Sequence, residues 1–136
     1  MDFVPACLEI MTQKQARELN PLVLAFVGDS VQTLYVRTRL AATSHAKSGA
    51  LHNAAACEIS AKAQAKSADR AMEIFSEEEA DIFRRARNNH TLHSAKNASI
   101  ADYKKSSGLE AVIGYLYLTS QSQRLEKILA LTEIKE

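Results

Sequence analysis

Two isolated carboxylates are the residues of this chain whose surroundings suggest chemistry. Asp29 lies in the apolar stretch LAFVGDSV at residues 24–31, and Glu110 lies in a second one, GLEAVIGYL, at residues 108–116. A carboxylate in apolar surroundings is costly to bury unless it is paired or coordinates a metal ion. If the two side chains meet in the fold, their oxygens form a site for a hard divalent cation.

Each acid also has a purely structural interpretation. Asp29 follows Gly28 and could act as a helix cap or a turn residue. Glu110 stands three residues after Ser107, which is the spacing of a capping box at the start of a helix. The sequence leaves both alternatives open, and a residue in the first turn of a helix could serve both purposes.

Composition excludes several classes of protein. The chain has 136 residues, 46% hydrophobic and 24% charged, which is typical of one folded domain. A net charge of +1 means that any nucleic-acid binding requires a local basic patch. No apolar run is long enough for a membrane span and no signal peptide is evident, so we expect a cytoplasmic protein. Cys7 and Cys57 lie in apolar contexts, which predicts buried, reduced thiols.

The distribution of apolar residues predicts an all-α fold. Only four Gly and two Pro interrupt the chain, and Ala is abundant. Capping signals at Thr12, Asn20 and Ser76 predict helix starts. The predicted elements are a short helix after Thr12, a buried helix from Pro21 to Leu40, a helix from about Lys47 to Lys66, a helix after Ser76, a loop from Asn88 to Lys105, a helix capped by Ser106 or Ser107 and ending at Leu118, and a final amphipathic helix.

A basic region surrounds the predicted loop. Its cations are Arg84, Arg85, Arg87, Lys96, Lys104 and Lys105. A solvated surface is one interpretation, and contact with RNA phosphates is the other, since Arg forms paired hydrogen bonds with phosphate oxygens. Few aromatic residues accompany the region, which favours a duplex over stacked single strands. His90 and His93 alone are weak support for a metal site.

Several motifs together resemble the ribonuclease III family. The stretches at residues 20–31 and 110–118 are similar to the two acidic helices of its catalytic domain, and residues 60–65, 84–88 and 96–98 resemble the small bacterial branch called Mini-ribonuclease III. The resemblance implies an all-α, homodimeric helical bundle in which residues 1–136 form one catalytic domain without a separate double-stranded-RNA-binding domain.

The resemblance also implies an activity and its residues. It implies Mg²⁺-dependent endonucleolytic cleavage of double-stranded RNA to 5′-phosphate and 3′-hydroxyl ends. The expected substrate is the precursor of 23S ribosomal RNA, and a large-subunit ribosomal protein is a further expected partner. Asp29 and Glu110 would be the catalytic residues and metal ligands. The implied RNA contacts are Arg84, Arg85, Arg87, Asn88, Lys62, Lys96, Lys104 and Lys105.

The chain departs from the family pattern at two positions. Full-length ribonuclease III has a Glu where this chain has Ala25 and an Asp where it has Ser107. The loss of two acids keeps open a non-catalytic helical dimer that binds structured RNA or a ribosomal protein. A helical nucleotide phosphohydrolase is a third class, but the adjacent His-Asp pair that it requires does not occur in the sequence.

Overall fold

The computed structural model describes residues 11–89 and 99–133, and these form seven α-helices without a strand. The predicted all-α class is therefore confirmed. The helices are α1 (Gln13–Glu18), α2 (Pro21–Thr43), α3 (Ser48–Glu58), α4 (Ala61–Met72), α5 (Glu77–Asn88), α6 (Ile100–Leu118) and α7 (Ser122–Ala130). Among the described residues, no helix is both long enough and apolar enough to cross a membrane.

Side-chain caps begin three helices where the sequence predicts them. Thr12 and Ser76 each form a complete capping box, with Gln15 and with Glu79 respectively. Asn20 accepts a hydrogen bond from the backbone of Leu22 at the start of α2. Each cap satisfies backbone N–H groups that have no partner inside the helix.

The predicted single helix from Lys47 to Lys66 is wrong. Helix α3 ends at Glu58, and Ser60 begins α4 by accepting a hydrogen bond from the backbone N–H of Ala63. Apolar periodicity continues across this junction, so the pattern of hydrophobic residues concealed the break. Helix α4 then continues to Met72, beyond the predicted end.

The predicted boundary before α6 is also wrong. Ser99 caps this helix by accepting a hydrogen bond from the backbone of Asp102, so α6 begins at Ile100. Ser106 and Ser107 lie inside the helix and are not its caps. Cys57 is exposed, which contradicts the predicted buried thiol, and Cys7 lies outside the described residues.

Helix α6 forms the centre of the core, and α2, α4 and α5 pack around it. Its residues from Ser106 to Leu116 are buried except for Glu110, which is partly exposed. Helix α7 covers one end with three buried side chains, Leu125, Ile128 and Leu129. Because α6 is apolar on nearly every side, each neighbouring helix contacts a different face of it.

Two glycines set the distance between α2 and α6. A Cβ added to Gly28 would lie 1.7 Å from the backbone oxygen of Glu110, and one added to Gly114 would lie 1.9 Å from the backbone oxygen of Leu24. Neither oxygen belongs to a flexible side chain that could move aside. The backbones of the two helices are thus in direct contact at this crossing.

We predict that Gly114→Ala destabilises the protein by about 3 kcal/mol, because the new methyl group separates the two helices. The matched control is Gly49→Ala in α3, where an added Cβ has no neighbour within 4 Å. The higher helix propensity of Ala makes that change neutral or stabilising by up to about 1 kcal/mol. Chemical denaturation followed by circular dichroism measures the free energy of unfolding of both variants. Equal stability of Gly114→Ala and Gly49→Ala would contradict the prediction.

Candidate active site

Asp29 and Glu110 meet in one cleft at the crossing of α2 and α6. The cleft has a volume of about 290 Å³ and is open to solvent. Its lining residues are Leu22, Ala25, Phe26 and Asp29 from α2, and Tyr103, Ser107 and Glu110 from α6. Asp29 is close enough to Glu110 for its charge and a hydrogen bond to act on the pKa of the Glu110 carboxyl. The juxtaposition on which a divalent-cation site depends is therefore present.

Neither acid is a helix cap. Asp29 lies well inside α2 and Glu110 well inside α6, so both structural interpretations offered by the sequence are wrong. The apparent capping box from Ser107 to Glu110 is ordinary helical spacing, which places the two side chains on one face. That face is the wall of the cleft.

The two departures from the family pattern face the same cleft. Ala25 lies one turn before Asp29, and Ser107 lies one turn before Glu110. At these positions the cleft wall carries a methyl group and a hydroxyl group in place of carboxylates. The site therefore has less negative charge and more free space than a site with four acids.

The electrostatics of the cleft are dominated by the proximity of the two acids. Burial, the charge of Asp29 and a hydrogen bond to Asp29 together raise the pKa of Glu110 to about 8, and a hydrogen bond from Ser106 opposes this rise. Two carboxylates in contact favour retention of a proton between them. A divalent cation would replace that proton and neutralise both charges.

A buried polar network supports Glu110 from behind the cleft. The Ser106 hydroxyl lies 2.7 Å from Oε1 of Gln64 and 3.3 Å from Oε1 of Glu110. Gln64 belongs to α4 and donates from Nε2 to the backbone oxygen of Ile59 at 3.3 Å.

Sequence reasoning missed the site roles of Ser106, Gln64 and the cleft residue Tyr103. The only available signal was a polar residue in an otherwise apolar stretch of helix.

The residues of the cleft fit a hard divalent cation that keeps part of its water shell. Among residues 11–89 and 99–133, no group of three or more His, Cys, Asp and Glu side chains comes together. Mg²⁺ is commonly held by one or two carboxylates and several waters, which matches a pair of acids in an open cleft. His90 and His93 lie outside the described residues.

Two of the predicted RNA-binding arginines extend from the last turns of α5. Arg84 is exposed and forms an ion pair with Asp81 at 2.5 Å. Arg87 lies over the ring of Phe83, with its guanidinium carbon 5.8 Å from the ring centroid, and donates to Asn88. Spacings of three and four residues put Arg84, Arg87 and Asn88 on one side of the helix. Contact of these groups with RNA stays a prediction.

The other predicted contacts are distributed over several elements. Arg85 points toward α1 and donates to the backbone oxygen of Arg17 at 3.1 Å, and Lys105 forms an ion pair with Asp69 at 2.8 Å. Lys62 is exposed on α4, and Lys104 is partly exposed on α6. Lys96 lies outside the described residues. Arg84, Arg87 and Asn88 therefore share one side of α5, whereas Arg85 binds the backbone of α1.

The raised pKa of Glu110 predicts that the free energy of unfolding of the metal-free protein depends on pH. The folded state binds this proton more tightly than the unfolded state, so the contribution of Glu110 to stability falls as pH rises from about 5 to about 8. Glu110→Gln removes the titration. We expect its stability relative to the parent, measured in EDTA, to increase by about 4 kcal/mol over that interval, since each pH unit contributes about 1.4 kcal/mol.

The control for this experiment is Glu73→Gln, which removes an exposed carboxylate at the end of α4. Its stability relative to the parent should change little over the same pH interval. A difference between Glu110→Gln and the parent that shrinks as pH rises would contradict the raised pKa of Glu110.

Comparisons with known proteins identify the family of this chain. Residues 22–121 match the Ribonuclease III domain family. A Mini-ribonuclease 3 of Thermoanaerobacter is 41% identical over 91% of this chain and 87% of its own. A Mini-ribonuclease 3 of Staphylococcus aureus is 44% identical over 82% of this chain and 84% of its own. A crystal structure of a Fusobacterium nucleatum protein superimposes with a TM-score of 0.77 at 27% identity, over 85% of this chain and 92% of that one. The chain belongs to the ribonuclease III family, within the Mini-ribonuclease 3 group.

Proposed function

We propose that this endoribonuclease hydrolyses double-stranded RNA with Mg²⁺ held by Asp29 and Glu110. The observation that carries the proposal is the meeting of these two acids in an open cleft at the crossing of α2 and α6. Membership of the ribonuclease III family supports the reaction class. The products are expected to carry 5′-phosphate and 3′-hydroxyl ends.

The chemistry requires the two carboxylates in their ionised forms. Asp29 on α2 is exposed, and Glu110 on α6 is more buried. Their oxygens would hold the cation, which when bound supplies an activated water and stabilises negative charge on the scissile phosphate. Ala25 and Ser107 leave space beside the pair for water molecules. Tyr103 and Leu22 border the same cleft.

We also propose that the enzyme acts as a homodimer. Three apolar side chains on α2 are exposed in the single chain: Phe26 at 77%, Leu34 at 49% and Val23 at 45%. Phe26 also lines the cleft that holds Asp29. A second copy packed on this face of α2 would cover these side chains and place two clefts close together. Each protomer would then cut one strand of a duplex.

The finer expectations about the substrate rest on the resemblance to the Mini-ribonuclease branch. We propose the precursor of 23S ribosomal RNA as the natural duplex, with a large-subunit ribosomal protein as an assisting partner. A cytoplasmic location and a single catalytic domain complete the proposal. A non-catalytic dimer that binds structured RNA is the competing possibility, since two of the usual acids are replaced.

We predict that Asp29→Asn lowers the rate of duplex cleavage by at least about a hundredfold, because one of the two metal ligands loses its charge. The assay uses a structured ribosomal RNA precursor with and without Mg²⁺, followed by mapping of the new ends. Glu73→Gln is the control and should cleave at the parental rate. Near-normal cleavage by Asp29→Asn would refute the metal-ligand role. Binding without any Mg²⁺-dependent cleavage by the parent would favour the non-catalytic alternative.

We predict that the double variant Arg84→Ala, Arg87→Ala binds duplex RNA about tenfold more weakly in EDTA at moderate salt. Loss of two phosphate contacts should also reduce the slope of log affinity against log salt by about two. Lys127→Ala, which removes an exposed cation on α7, serves as the control. An unchanged salt slope in the double variant would exclude both arginines as phosphate contacts.

A further inference from the structure

A chain of buried hydrogen bonds connects α4 to the carboxyl group of Glu110. Gln64 is 2% exposed and Ser106 is 6% exposed. Their side chains are joined at 2.7 Å, and the Ser106 hydroxyl continues to Glu110 at 3.3 Å. Buried polar groups are costly unless their hydrogen bonds are made, so two such residues beside an active-site acid require an explanation.

The Ser106 hydroxyl has an uncommon orientation for a helical residue. Hydroxyls inside helices usually donate to the backbone oxygen of their own helix four residues earlier. Among residues 11–89 and 99–133, Ser67 donates to Ala63 and Thr43 to Arg39 within their helices, and Thr119 donates to Tyr115 at the end of α6. Ser106 instead contacts the side chains of Gln64 and Glu110. An interaction outside α6 therefore draws this hydroxyl away from its own backbone.

Gln64 provides that interaction, and its amide group has a defined orientation. Nε2 donates to the backbone oxygen of Ile59, at the junction between α3 and α4, which leaves Oε1 directed at Ser106. The single hydroxyl hydrogen of Ser106 is directed mainly at Gln64, at 2.7 Å, and is shared with Glu110 at 3.3 Å. When Glu110 carries a proton, Oγ of Ser106 can also accept from it. The network thus contacts one oxygen of Glu110 through a residue that does not line the cleft.

We propose that Ser106 and Gln64 are positioning residues for the metal site: Gln64 holds the Ser106 hydroxyl, and Ser106 holds the Glu110 carboxylate. This inference rests on the proposed role of Asp29 and Glu110 as metal ligands. With Ala25 and Ser107 in place of acids, the site has few groups that restrict its carboxylates. Residues that orient metal ligands through hydrogen bonds commonly affect metal affinity about tenfold or more.

The experiment measures Mn²⁺ affinity without RNA, from the free Mn²⁺ signal in electron paramagnetic resonance. Ser106→Ala removes one oxygen and keeps good helix propensity, and Gln64→Met removes the acceptor at similar volume. We expect each to weaken Mn²⁺ binding about tenfold. Because Gln64 acts only through Ser106, the double variant should bind no more weakly than Ser106→Ala alone.

The matched control is Ser67→Ala, which removes another buried hydroxyl one turn from Gln64 that has no link to the acids. It should retain parental Mn²⁺ affinity, whatever its unfolding midpoint in EDTA. The cleavage defects of Ser106→Ala and Gln64→Met should also diminish as the Mg²⁺ concentration rises, which a general packing defect would not produce.

Parental Mn²⁺ affinity in Ser106→Ala would overturn the proposal, as would an equal loss in Ser67→Ala. Additive losses in the double variant would remove Gln64 from the network. Asp29→Asn separates this inference from the proposed function. If Asp29→Asn keeps Mn²⁺ binding and duplex cleavage, the metal site itself is refuted. If Asp29→Asn loses both while Ser106→Ala and Gln64→Met bind normally, only the positioning role fails.

Discussion

The direct contact between the backbones of α2 and α6 is the constraint on which the site depends. It requires glycine at residues 28 and 114, because a Cβ at either position would overlap a backbone oxygen of the other helix. The oxygen that approaches Gly28 belongs to Glu110, and Asp29 is the next residue along α2. The same contact that packs the core therefore brings the two acids together. A larger helix separation would leave each acid solvated on its own helix.

This close approach has an electrostatic cost that is useful for binding a cation. Two like charges in contact, one of them largely buried, oppose ionisation of the pair and hold a proton at Glu110 at neutral pH. The packing of many apolar side chains around α6 compensates for this local cost. A divalent cation reverses the balance, since it interacts favourably with both carboxylates at once. Binding of the cation is thus expected to release a proton and to stabilise the fold.

The sequence alone predicted the all-α class and the starts of α1, α2 and α5, and it marked Asp29 and Glu110 as the acids that would form a metal site if they met. Those predictions depended on local capping signals and on charges isolated in apolar stretches, both of which can be read from neighbouring residues. The break between α3 and α4 and the early start of α6 were not predicted. In each case a serine cap lies where hydrophobic periodicity gives no sign of a boundary, so only the tertiary fold distinguishes it from an ordinary helical serine.

The supporting residues of the site were beyond sequence reasoning for a related reason. Gln64 and Glu110 are far apart in the chain, and only the packing of α4 on α6 reveals that Ser106 connects them. The unpredicted break after Glu58 has a role here, because the backbone oxygen of Ile59 at that junction orients the Gln64 amide. A continuous helix from Lys47 to Lys66 would have used that oxygen in its own backbone hydrogen bonds.

The replacement of two acids changes how the remaining pair must be held. In a site with four carboxylates, mutual repulsion and shared cations restrict each side chain, but Ala25 and Ser107 supply neither. Neutral hydrogen bonds can restrict a carboxylate without adding negative charge, and a buried one is stronger than the same bond in water. The Gln64–Ser106–Glu110 network has that character. A site with two acids can then retain a defined geometry while leaving most positions around the cation to water, which Mg²⁺ releases reluctantly.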